Sequence, residues 1–80
     1  MTLEEERERG ARAKAILSEP IVIETFDVIR AKYFDAWRTS GEADSKLREH
    51  YFALFNAVDE FEQHLTSVLK SGEMAIQQMK

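Results

Sequence analysis

From Leu47 onward the apolar residues Leu47, Tyr51, Leu54, Val58, Phe61, Leu65 and Val68 alternate steps of four and three without a break. That spacing puts all of them on one stripe of an α-helix and marks the seam of a helix packed lengthwise on a neighbour; a strand, with its period of two, has no use for it. A second seam precedes it, Val22, Phe26, Ile29, Tyr33 and Ala36, with Ile23 and Trp37 widening the stripe on one flank. Between the two lies Thr39-Ser40-Gly41-Glu42-Ala43-Asp44-Ser45. Its glycine can stop the first helix, and Asp44 or Ser45 can cap the next by accepting a backbone N–H. So short a connection makes the two helices antiparallel neighbours.

Upstream, Glu4 to Leu17 reads as a charged helix with acidic and basic residues three and four apart, such as Glu5 with Arg9 and Glu8 with Arg12. Pro20 disfavours helical geometry at Glu19 and suits the first turn of the next helix, so a break falls near Ser18. Downstream, Lys70-Ser71-Gly72 has the composition of a helix end, with Gly72 free to adopt positive φ, although the seam continues in register through Gly72, Ala75 and Met79, so the helix either runs on or restarts after a kink. The expected fold is all-α and a single domain over residues 1–80. Its helices span about 3–17, 20–39 and 45–71, with 73–80 a short helical or frayed tail. The architecture is an antiparallel helical hairpin with an additional N-terminal helix.

Eighty residues bury a smaller fraction of their surface than a chain twice as long, which makes self-association an expectation in its own right. A homodimer that closes into a helical bundle would supply the missing burial. The absence of cysteine excludes disulfides, thiolate metal sites and cysteine nucleophiles, so the fold rests on packing. The opening MTLEEERERGARAK is too charged for a secretory segment, and no apolar run approaches a membrane span. These features lead us to expect a cytoplasmic protein with no membrane contact.

The densest cluster of chemically capable side chains is Asp59-Glu60-Phe61-Glu62-Gln63-His64-Leu65. On the heptad register Phe61 and Leu65 are core positions, which puts Asp59 and Glu60 on the outer face and Glu62 and His64 on opposite flanks. The polar groups therefore do not converge. Glu60 and His64, four apart, supply two ligands where a zinc site needs three or four, and the inward Glu-x-x-His of di-metal bundles is replaced by Phe61 three before His64. No glycine-rich phosphate loop or nucleophile elbow occurs elsewhere. The reading is a non-enzyme with no catalytic residue, no metal and no cofactor. His50, Ala57 and His64 share a flank at heptad spacing, so an antiparallel dimer about this helix brings the histidines toward their symmetry mates, where protonation near neutral pH weakens it. The plainer account is two partly exposed histidines beside a core.

Six of the eight aromatics, Tyr33, Phe34, Trp37, Tyr51, Phe52 and Phe55, lie within about two turns of the connecting loop, so antiparallel pairing gathers them at one end. Phe34 and Phe52 sit outside the seam and Trp37 and Phe55 on its edges, which asks for a second packing surface. Either the N-terminal helix folds back over them through Leu3, Ile16 and Leu17, or a dimer contact covers them. Arg30, Lys32, Arg38, Lys46 and Arg48 lie near the same end, a composition met on single-strand nucleic-acid surfaces. A net charge of −4 and the nearby Glu24, Asp27, Asp35 and Glu49 argue against nucleic acid as the partner and for simple counter-charge.

Glu8-Arg9-Gly10-x-Arg12-Ala13, Ile16-Leu17, Phe26-Asp27, Tyr33, Ala36-Trp37-Arg38, Arg48, His64-Leu65 and Gly72 occur in an order that resembles small uncharacterised proteins of tailed bacteriophages and prophages, encoded among structural and head-assembly genes. The resemblance spans nearly the full length and rests on helix-packing residues. It implies a phage context: a structural or assembly-associated protein, in the cytoplasm of an infected or lysogenic cell or in the virion, acting by binding other proteins and itself. A second reading is a small acidic regulator or inhibitor that caps a basic surface of a host protein or nucleic-acid enzyme, using Asp59, Glu60, Glu62 and the run from Glu4 to Glu8.

Overall fold

A computed structural model describes residues 1–80 and contains three helices and no strand: α1 (Leu3–Leu17), α2 (Pro20–Thr39) and α3 (Ser45–Met79). Local chemistry sets most of the boundaries. Thr2 caps α1 by accepting the Glu5 N–H at 3.1 Å, and Asp44 caps α3 by accepting the Leu47 N–H at 3.1 Å. Pro20 opens α2, and Glu19 before it is extended (φ −80°, ψ 116°), as the steric demand of a following proline requires. In α1 the ion pair that forms is Glu4 with Arg7, one turn apart.

The end of α2 differs from the glycine stop expected at Gly41, because no glycine has a positive φ. Ser40 turns extended (φ −69°, ψ 141°), and local hydroxyls take up carbonyls of the last turn, Thr39 Oγ1 donating to Asp35 O at 2.9 Å and Ser40 Oγ to Trp37 O at 2.6 Å. Arg48 Nη1 donates to Ser40 O at 2.9 Å and to Trp37 O at 3.3 Å, while its guanidinium lies 4.9 Å from the centre of the Trp37 ring. One side chain of α3 thereby holds the end of α2 and covers an aromatic face.

The larger departure lies at Gly72. Instead of ending at residue 71 with a separate tail, α3 runs unbroken to Met79, at 35 residues about 52 Å long at 1.5 Å per residue. Gly72 marks a close approach instead: a Cβ placed there would sit 2.7 Å from Gly10 Cα and 3.0 Å from Glu6 O. Gly10, Ala13, Gly72 and Ala75 are the only four buried residues in the chain. Small side chains on both helices let the backbones of α1 and α3 touch, so these residues are buried by helix against helix rather than by bulky apolar side chains.

This contact also decides where α1 goes. It lies along the C-terminal part of α3, not over the aromatic residues beside the α2–α3 loop, so the expected fold-back through Leu3, Ile16 and Leu17 does not occur. Leu3 and Ile16 are exposed. Contacts of α2 fall on the earlier part of α3: Phe26 meets Phe61, Arg30 meets Asp59 and Glu62, Phe34 meets Phe55, and Trp37 meets Phe52. Ascending positions on α2 match descending positions on α3, so the two run in opposite directions. The Cα trace measures 57 × 24 × 14 Å, an elongated shape set by the length of α3.

Adding a methyl at either glycine of the crossing forces backbone against backbone. Gly10→Ala and Gly72→Ala should each destabilise the fold by about 1–2 kcal/mol net, despite roughly 1 kcal/mol gained in helix propensity. Gly41→Ala, with nothing within 4 Å of its added Cβ, should be neutral. Urea unfolding of the three variants measures this.

Candidate interaction surface

Side chains between α2 and α3 divide onto two flanks of their line of contact. On one flank Arg30 is the hub. Its Nη2 donates to Glu62 Oε2 at 3.1 Å, its Nη1 to Asp27 Oδ1 at 3.2 Å, and its Nε lies 3.6 Å from Asp59 Oδ1. Asp59, expected on the outer face of α3, thus turns toward α2. Gln63 Nε2 also donates to Asp59 Oδ2 at 2.8 Å. Two of the three carboxylates of the 59–65 stretch, Asp59 and Glu62, clamp one arginine, and no three metal-ligating groups come together anywhere.

The same flank carries part of the aromatic cluster expected near the loop. Phe34 packs on Trp37 and on Phe55 with ring centres 5.9 Å apart in both cases, and Trp37 on Phe52 at 6.4 Å, all tilted. A small cavity of about 130 Å³ lies among these four rings. Trp37 and Phe55 are half-buried, whereas Phe34 and Phe52 keep 47% and 52% of their surface in water. Tyr33 and Tyr51 do not join them. Each is half-buried and has a different neighbour: Lys32 Nζ stands 5.9 Å from the Tyr33 ring, and the His50 ring 5.6 Å from that of Tyr51. The three arginines beside the cluster are engaged within the chain, Arg38 with Asp35 at 2.6 Å, Arg30 and Arg48 as described.

The opposite flank is open and apolar. Ile21, Val22, Phe26 and Ile29 of α2 face Ala57, Val58 and Phe61 of α3 across a groove of about 400 Å³. Thr25 is its sole polar residue, and its Oγ1 is turned into the helix, donating to Ile21 O at 2.7 Å. Phe61, a core position on the heptad register, is 63% exposed, and Ile21 is 60% exposed. The physical reason is the rotation of α3. Its buried side is drawn toward Phe55, Asp59 and Glu62, where α2 supplies Arg30 and Phe34, and this rolls Phe61 outward. The signal for this surface was in the sequence as a stripe too wide for one partner helix, but which edge stays uncovered depends on that rotation.

His50 and His64 are both exposed and are not brought together within the chain. Ala57, midway between them, lines the groove, while His64 borders a shallow depression against Met1, Glu6 and Arg9 at the start of α1. No helix is long and apolar enough to cross a membrane. The chain matches no protein-family model, no curated protein and no solved structure.

The two flanks should respond differently to truncation in dilute protein. Trp37→Ala, which opens the packed cluster, should cost about 2 kcal/mol, whereas Phe61→Ser, at an exposed rim, should stay within about 0.5 kcal/mol. Denaturant unfolding at sub-micromolar concentration, followed by helical circular dichroism, makes the comparison.

Proposed function

We propose that this protein is a non-enzymatic, assembly-associated protein that works by packing its helices against other proteins and against copies of itself. The observation that carries this reading is the apolar groove bounded by Phe26 and Phe61, left open in a chain that fully buries only two hydrophobic side chains, Ala13 and Ala75. A surface of that kind is typical of protein contacts and has little chemistry to offer a substrate. In this reading an antiparallel hairpin with an added N-terminal helix dimerises into a bundle. The half-exposed rings of Phe34 and Phe52, backed by Trp37 and Phe55, remain available as anchors for a different protein. The phage or prophage setting follows from the sequence resemblance alone and is part of the proposal.

An acidic inhibitor of a basic host surface is the second reading, favoured by the net charge of −4. Against it, Asp59 and Glu62 are already committed to Arg30. Capture from host lysate separates the two. A nucleic-acid enzyme retained at low salt and lost at high salt supports the inhibitor, and virion components retained at both support assembly.

Self-association is tested by sedimentation equilibrium over a hundredfold concentration range, with thermal melts at each end. The expected outcome is a dimer whose melting temperature rises with concentration. A melting temperature independent of concentration, together with a monomeric mass throughout, rejects the self-association part of the proposal.

A further inference from the structure

We infer that the open groove face of α2 and α3, and not the aromatic end, is the surface on which a second copy of this chain docks, the two grooves meeting about a two-fold axis. This rests on the proposed self-association and names the surface that performs it.

Surface area sets the scale. The chain exposes 6061 Å² at a mass of 9.3 kDa. A compact monomer of that mass exposes about 5,000 Å², so the excess is about 1,000 Å². A standard stable interface covers about 800 Å² on each partner. The excess is therefore what one such contact removes.

Shape points to the same partner. Domains bury their apolar faces between packed layers of secondary structure, and the α2–α3 pair has nothing laid across its groove face. A second copy laid on the groove face supplies the other layer and places α2 and α3 of each chain within a four-helix core. An isologous contact must also be self-complementary, with projections and recesses on one patch. Here Phe61 and Ile21 project beside the recess floored by Val22, Phe26 and Val58.

Charge decides between a copy and a foreign basic partner. Two chains of net charge −4 repel each other least where their contact holds no carboxylates, and no charged side chain lines the groove. Asp27, Asp59 and Glu62 lie on the other flank, gathered on Arg30. A basic partner seated in the groove would meet no acidic rim among its lining residues, whereas an identical apolar face loses nothing by meeting it.

The test uses full-length protein, three single variants and the only tryptophan, Trp37, which reports on the opposite flank. Phe61→Glu and Ile21→Glu change exposed side chains, so both should retain helical circular dichroism. Each should weaken the dimer by about a hundredfold in sedimentation equilibrium, and Phe52→Glu should leave its Kd within about threefold. In wild-type protein, Trp37 emission should not shift between the monomer and dimer concentration ranges. That measurement stands even if a variant fails to fold. Loss of the dimer in Phe52→Glu alone, or a blue shift of Trp37 on association, would overturn the assignment of the face while leaving self-association intact. A wild-type chain that is monomeric at every concentration would overturn both.

Discussion

The contact between Gly10 and Gly72 is the constraint from which the rest of the arrangement follows. Two backbones touching at a point where neither residue has a Cβ fixes both the lateral position of α1 and its register on α3. With α1 committed there, α3 must remain helical beyond Gly72 to cover Ala13 with Ala75. Because α1 (15 residues) and α2 (20 residues) follow one another along the 35 residues of α3, each covers only its own stretch of that helix. Nothing in the chain is left to lie across the α2–α3 pair. The uncovered groove is thus a consequence of where the glycines are, not a local packing defect.

Much of the secondary structure was legible in the sequence, because it depends on short-range chemistry. Thr2, Pro20 and Asp44 act within one turn of their own position, and the steps of four and three name the helices directly. Gly72 was ambiguous for a physical reason. A glycine near a lysine carries the composition of a helix end, but the same residue is also the sole choice where two helix backbones meet, and only the partner helix distinguishes the two. Gly41 shows the converse. It looked like the stop for α2, yet it has no positive φ, and Arg48, eight residues beyond Ser40, donates to Ser40 O and Trp37 O at that end.

The candidate surface was legible as a set of residues but not as an arrangement. Phe61 lies on a faultless heptad stripe, and the stripe says only that one side of α3 is apolar. Where α2 settles on that side depends on Arg30 finding both Asp59 and Glu62, and on Phe34 and Trp37 finding Phe55 and Phe52. These interactions pull the contact toward one edge of the stripe. The stretch that looked most like a reactive site therefore has a positional role: its carboxylates set the rotation of α3, and that rotation sets the exposure of Phe61.

In the proposed dimer, stability and association are coupled. A chain of 80 residues with two fully buried hydrophobic side chains has little interior burial with which to offset the entropy of ordering three helices. The part of α3 gripped by α1 is held by close backbone contact at Gly10 and Gly72, where the fully buried side chains are alanines. The part paired with α2 has the large side chains but leaves one flank in water. A partner on that flank adds apolar burial where the chain supplies bulk without cover, so the free energy of docking is also free energy of folding for α2 and the first half of α3. The α1–α3 crossing gains nothing directly from such a partner. The two ends of the molecule therefore divide the work, one holding the shape and the other leaving an apolar groove in water.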